Sequence, residues 1–136
     1  MAVARQKHLV LILAREFASK LALSVFIADG EGNLVYFNEP AERMLGQTFA
    51  ETGEIKAEMW SQLYRTEELD GTPIPLEQLP SGIALLEGRP AHHELAITGL
   101  DGVRHELSVT AFPLLSSETS RVGMMAIFWE LGSGAP

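Results

Sequence analysis

Few side chains in this 136-residue chain could do chemistry, and they are poorly grouped. There is no cysteine, which excludes disulfides, thiolate metal sites and a cysteine nucleophile. His92 and His93 precede the Asp101-Gly102 turn and His105 follows it, on what reads as the two arms of one hairpin. Across that turn His105 pairs near residues 96 to 98, leaving His92 or His93 four or more residues along the strand. At about 3.3 Å per residue that separation exceeds roughly 13 Å, too far for one metal ion, and adjacent His92 and His93 point to opposite faces. No metal site is expected. His105 shares parity with Leu107 and Val109 and is expected to turn inward, as a hydrogen-bonding or pH-sensitive group.

General acid–base catalysis would have to draw on Asp29, Glu106, Tyr36, Tyr64 and His105, as in a small isomerase-like α+β enzyme. Asp29 is better explained as a turn residue whose side chain ties down a hairpin. No G-x-S-x-G, H-E-x-x-H, P-loop or dinucleotide pattern is present, and the turn Gly30 to Asn33 lacks the strand-to-helix context that phosphate binding needs. A net charge of −8 argues against a nucleic-acid surface, which requires clustered Lys and Arg. The acidic residues between Glu51 and Glu77 read as solvated surface. These features favour a binding domain over an enzyme.

The elements that would position such residues are clearest between Val25 and Gly46. Ser24 to Asp29 and Leu34 to Phe37 are β-branched and aromatic runs around Gly30-Glu31-Gly32-Asn33, which predicts a hairpin. Asn38 caps a following helix, Pro40 falls where a missing N–H costs nothing, and Gly46 ends the helix. In the last third Val103, Leu107, Val109 and Ala111 alternate with polar residues, as in a half-buried strand. The final strand is apolar on both faces, Val122, Met124, Ala126 and Phe128 against Met125, Ile127, Trp129 and Leu131, so it needs cover on both sides. Between them, Met59, Trp60, Leu63 and Tyr64, then Leu79, Ile83 and Leu86 with Gly88 as the stop, predict short helices walling one face, the second opening near Pro80.

The N-terminal segment, roughly Val3 to Ala22, reads as an amphipathic helix with a stripe at Val10, Leu13, Ala14, Phe17 and Leu21. Leu9, Leu11 and Ile12 lie off that stripe, so the helix is expected to pack on its own domain and on another chain. Its apolar run from Leu9 to Ala14 is too short for a membrane span or signal peptide, and a cytoplasmic location is expected.

Three stretches together resemble a PAS domain, the sensory module of bacterial signalling proteins. Asp29, Gly32, Asn38, Ala41, Leu45 and Gly46 match the family's D-x-x-G-x-I-x-x-x-N-x-x-A-x-x-x-L-G pattern. Gly71, Pro73, Pro75, Leu79, Pro80, Ala84, Leu85 and Gly88 look like the G-x-P-x-P-x-x-x-L-P segment of one subgroup. Glu94 to Leu131 is similar to the closing three strands. The resemblance implies an α+β fold: a five-stranded antiparallel sheet ordered 2-1-5-4-3, with strands near 23–29, 34–37, 91–99, 103–114 and 121–131. Short helices would lie on one face and the N-terminal helix across the other. Residues 1–22 would then be a dimerisation and capping helix, 23–131 the PAS domain and 132–136 a flexible tail.

The same resemblance implies a ligand cavity within the core. Its candidate lining is Phe26, Met44, Met59, Trp60, Leu63, Tyr64 and, from later elements, Leu79, Ile83, Leu86, Leu107, Val109, Met124 and Phe128. Family members that form a flavin photoadduct or carry a thioester-linked chromophore depend on a cysteine, which is lacking here, so no covalent chromophore is expected. Haem-binding members usually take a histidine from the helix corresponding to Pro75 to Glu87, where none lies, so no haem is expected. Dicarboxylate binding would need basic groups, and only Lys56 and Arg65 are near. Non-covalent flavin, an apolar small molecule, or no ligand remain. Leu9, Ile12, Leu13 and Phe17, with Met125, Ile127 and Trp129, are the candidate homodimer interface. The terminus Glu130-Leu131-Gly132 departs from the family's D-I-T-like exit, which implies a separate signalling partner. The competing reading is a dimerisation module whose core holds no ligand.

Overall fold

Alternation along the strands sorts the apolar residues into two layers. In the final strand every residue from Val122 to Phe128 is buried except Ile127, which is half-buried, so both faces of that strand are covered. The structure, a computed structural model, describes residues 2–117 and 120–132. Of the expected tail, all but Gly132 lies outside them. Five strands, β1 (Ser24–Asp29), β2 (Leu34–Phe37), β3 (Ala91–Thr98), β4 (Arg104–Leu115) and β5 (Arg121–Glu130), form one antiparallel sheet in the order β2-β1-β5-β4-β3. This is the expected α+β architecture, with β5 central.

Against the inner face pack α2 (Glu39–Leu45), α3 (Phe49–Thr52), α4 (Ala57–Leu63) and α5 (Pro80–Glu87), burying Leu34, Phe37, Trp60 and Leu79 with Leu107 and Phe128. Across the outer face lies α1 (Ala2–Ala18), whose Ala14 and Ala18 meet Val25, Ile27 and Met125. Among the described residues no helix is long and apolar enough to cross a membrane.

Two rotations differ from the sequence expectation. The side of α1 that meets the sheet carries Leu11, Ala14 and Ala18 with Leu21 beyond the helix, whereas Leu13 and Phe17 of the expected stripe are 58% and 56% exposed. Alanine at 14 and 18 lets the helix backbone approach the sheet closely, and that contact, rather than the longest apolar stripe, sets its rotation. In α5 the buried residues are Pro80, Ser81, Gly82 and Ala84, while Leu86 is exposed. Gly82 lies so close to the Leu76 carbonyl that a Cβ there would overlap it, and this contact fixes how α5 turns. Val103 is exposed, since β4 begins one residue later.

The two layers meet at Asn38. Its Oδ1 accepts from the N–H of Val25 (3.0 Å) and of Ala41 (3.2 Å), while its Nδ2 donates to the carbonyls of Ala18 and Leu23, both at 2.9 Å. The residue is 1% exposed. A capping residue of α2 thereby also ties down the end of α1, which stops at Ala18 rather than continuing to Ala22.

Each edge of the sheet carries one further backbone bridge. Leu34 of β2 exchanges both hydrogen bonds with Ile55, and Ala96 of β3 does so with Glu67.

Replacing Asn38 with Ala strands the Val25 and Ala41 N–H groups and the Leu23 carbonyl and leaves the Ala18 carbonyl only its bond from the Leu21 N–H, and urea unfolding should show a loss of roughly 3 kcal/mol. Asn38→Asp should not rescue it, because the cap acceptor returns while the Ala18 and Leu23 carbonyls then face a carboxylate oxygen. Equal stability of Asn38→Asp and the wild type would refute this account of the junction.

Candidate functional site

The inner layer is not filled. A cavity lies between the sheet and its helical wall, with about 50 Å³ open to a water-sized sphere. The sheet contributes Phe26 and Leu34, Leu95 and Ile97 of β3, Leu107 and Val109 of β4, and Phe128 of β5. The wall contributes Leu45, Trp60, Tyr64, Leu79 and Pro80, and the hydroxyl residues Thr66 and Ser81. Phe26 stands between Trp60 and Phe128, with ring centroids 5.5 and 5.9 Å away.

The hairpin turn positions the wall. Asp29 Oδ1 accepts from the N–H of Glu31 (2.9 Å) and Asn33 (3.0 Å), closing the β1–β2 turn. Asn33 Oδ1 then accepts from the N–H of Ala57 at the start of α4, and the Trp60 indole N–H donates to the Gly32 carbonyl at 3.0 Å. With α4 so held, Trp60 and Tyr64 face the core. Arg65 follows in the left-handed region at φ 48°, the one non-glycine there among the described residues, and reverses the chain. The strap 66–74 runs back along the sheet edge, fastened by the Glu67–Ala96 bridge, by Glu68 Oε1 2.6 Å from His93 Nε2, and by Arg104 on Glu67 and the Leu69 carbonyl. The Tyr64 carbonyl accepts from Thr98 N–H at 2.8 Å.

The Tyr64 hydroxyl is buried in this apolar setting with no hydrogen-bond partner. Burial pushes its pKa up to about 12. Tyr36 is also raised by burial, opposed by Arg15, whose guanidinium lies 4.6 Å from the centre of its ring. Tyr36 belongs to the outer layer, on the other side of the sheet from Tyr64. Asp29 is occupied by its turn, and Glu106 is exposed and paired with Arg104 at 2.8 Å. The residues considered for acid–base work are thus not brought together.

Of the candidate lining, Phe26, Trp60, Tyr64, Leu79, Leu107, Val109 and Phe128 surround the cavity. Met59, Leu63 and Leu86 do not: they are exposed, because α4 presents Trp60 and Tyr64 and α5 turns on Gly82. Ile83 and Met44 are half-buried away from it, and Met124 is fully buried beside Ala28. Lys56 and Arg65 are exposed. Leu95 and Ile97 were readable from their alternation in the run before Gly99, and Leu34 and Leu45 from the first hairpin and helix. Thr66, Pro80 and Ser81 carry no such pattern.

The histidines separate as expected. His92 Nε2 is 3.0 Å from Ser108 Oγ on the outer face, and His93 engages the strap. His105, opposite Ile97, has its Nδ1 3.6 Å from Glu130, while its Nε2 is buried without a partner.

No protein-family model and no curated protein matches the chain. Solved structures do. The Rhodobacter sphaeroides LOV protein matches with a TM-score of 0.70 and 19% identity, over 91% of this chain and 68% of that one. The PAS domain of nitrogen regulation protein NR(II) from Vibrio parahaemolyticus matches at 0.60 and 18%, over 88% and 98% of the two chains. The LOV domain of a blue-light activated histidine kinase from Erythrobacter litoralis matches at 0.63 and 20%, over 83% and 99%.

The fold is that of a PAS domain. At these identities the likeness concerns fold.

Tyr64→Phe removes the unpaired group and keeps the ring, so urea stability at pH 7 should rise by about 1 kcal/mol. The alkaline limb supplies the sign test. With a pKa near 10 in the unfolded chain and about 12 in the folded one, the phenol ionises first in the unfolded state. Wild-type stability should therefore fall from pH 10 to pH 12, and Tyr64→Phe should flatten that fall. Parallel pH profiles for the two proteins would contradict it.

Proposed function

We propose that this PAS-fold chain is a sensory module that takes a small molecule in the inner cavity and signals as a homodimer. Residues 1–22 would serve as the dimerisation and capping helix and 23–131 as the sensor, acting on a separate signalling protein in the cytoplasm. The observation that carries this reading is the two-sidedness of β5. Its Phe128 lines the cavity, while Met125 and Ile127 on alternate positions pack in the layer beneath α1. A shift of β5 that follows cavity occupancy would be felt by α1 through those side chains.

The interface half of the reading is supported by a ridge on α1. Leu9, Ile12, Leu13 and Phe17, at i, i+3, i+4 and i+8, are each 54 to 58% exposed. They adjoin one another along a helix, and such a strip suits a second copy of the same helix. Met125 is buried within the chain, so the part of the sheet open to a partner would be Ile127 and Trp129, both half-buried.

The cavity's size favours a second reading as well. At about 50 Å³ it is several-fold below the roughly 300 Å³ where drug-sized ligand pockets begin. Non-covalent flavin would need the lining side chains to move outward, and a dimerisation module with an empty core fits the same volume.

Light scattering should report a dimer for the wild type at high micromolar concentration. Leu9→Asp with Ile12→Asp should give a folded monomer, since charge at the interface would be desolvated at a cost of several kcal/mol, roughly. A monomeric wild type would end the dimer proposal.

A further inference from the structure

We propose that Tyr64 is the recognition group of the cavity, and that the cavity takes a compact neutral molecule, mostly hydrocarbon, with one hydrogen-bond acceptor oxygen. This rests on the ligand-binding reading above and adds to it the chemical class of ligand.

Three observations carry it. The first is the orphaned hydroxyl: Tyr64 is 3% exposed, lines the cavity, and its oxygen has no hydrogen-bond partner. A phenylalanine ring would fill the same space without leaving a buried polar group unpaired, so the hydroxyl is explained by something that enters the cavity. A phenol is protonated at neutral pH, and burial pushes its pKa higher still, so it stands in the cavity as a donor.

The second is the absence of charge around it. Every lining residue is apolar or bears a hydroxyl, and the nearby cations Lys56 and Arg65 are exposed. A carboxylate or phosphate would be buried with no counter-ion, which disfavours anionic ligands strongly. A single water is a poor occupant too, because it needs two to four polar partners in a lining that is almost all carbon.

The third is size. One water needs roughly 10–15 Å³ on this scale. About 50 Å³ therefore corresponds to roughly three to five water-sized spheres, and because bonded atoms overlap, to a compact molecule of about five or six non-hydrogen atoms. Trp60 is not a competing recognition group, since its N–H already donates to Gly32, but its ring lines the cavity and can report occupancy by fluorescence.

Cyclopentanone and cyclopentane are matched probes that differ by one acceptor. Titrated into the full chain and followed by Trp60 fluorescence and NMR shifts, both should bind the wild type. Tyr64→Phe should weaken cyclopentanone roughly tenfold and leave cyclopentane within about twofold. Independently of that variant, the infrared carbonyl stretch of bound cyclopentanone should lie below its value in hexane, as hydrogen bonding to Tyr64 requires. Binding of both probes with no selective loss in Tyr64→Phe, or an unshifted carbonyl stretch, overturns the role of Tyr64 while sparing the cavity as a ligand site. Binding of neither probe overturns the ligand reading and this proposal together.

Discussion

Asn38 holds the two layers of this protein in one geometry. A primary amide has two donor hydrogens and an oxygen with two lone pairs, and here all four are used inside the chain. The partners come from four places: the end of α1, the link to the sheet, the first residues of β1 and the first turn of α2. No other side chain touches both the outer helix and the inner wall through hydrogen bonds among the described residues. Apolar contact alone, through small alanines at 14 and 18, is weakly directional, and it would let α1 slide on the sheet. The directional bonds at Asn38 oppose that and hold the end of α1 in register with the sheet and with α2.

The cavity depends on a second polar device, the β1–β2 turn. Its role is usually local, closing a hairpin, yet Asn33 and Gly32 here also receive the start of α4 and the indole of Trp60. The wall is therefore referenced to the sheet at one end and to β3, through the Tyr64 carbonyl and the strap, at the other. A wall fixed at both ends keeps a void from collapsing, which is costly in an interior that otherwise packs at crystal density.

The strands themselves, the capped helix after Asn38 and the helix opening at Pro80 were legible because each rests on local chemistry: alternation, caps and proline geometry; the order of the strands followed only from the resemblance to PAS domains. About half of the cavity lining was legible for the same reason, since Trp60, Tyr64, Leu107, Val109 and Phe128 lie on elements whose inward face is set by their neighbours. Met59, Leu63 and Leu86 misled because short helices leave periodicity with too few turns to fix a face. There the rotation is decided by tertiary contacts, the indole bond to Gly32 and the close approach of Gly82 to Leu76. The rotation of α1 is a similar case, where small residues outweighed large ones. Asn38 was readable as a cap, but not as the anchor of α1, because Ala18 lies twenty residues away in sequence.

The paired bridges at Leu34–Ile55 and Glu67–Ala96 have a consequence for how copies of the protein can meet. An open strand edge is a template on which another chain can polymerise, and it leads to fibrils as readily as to a defined complex. Here each margin is partly occupied by the protein's own backbone, and the remaining stretch of β3 presents His92, His93 and Glu94 beside Glu68 and Asp70. Self-association by strand addition is thereby discouraged on both sides. A two-fold symmetric contact through the broad outer surface would, by contrast, close on itself at two subunits.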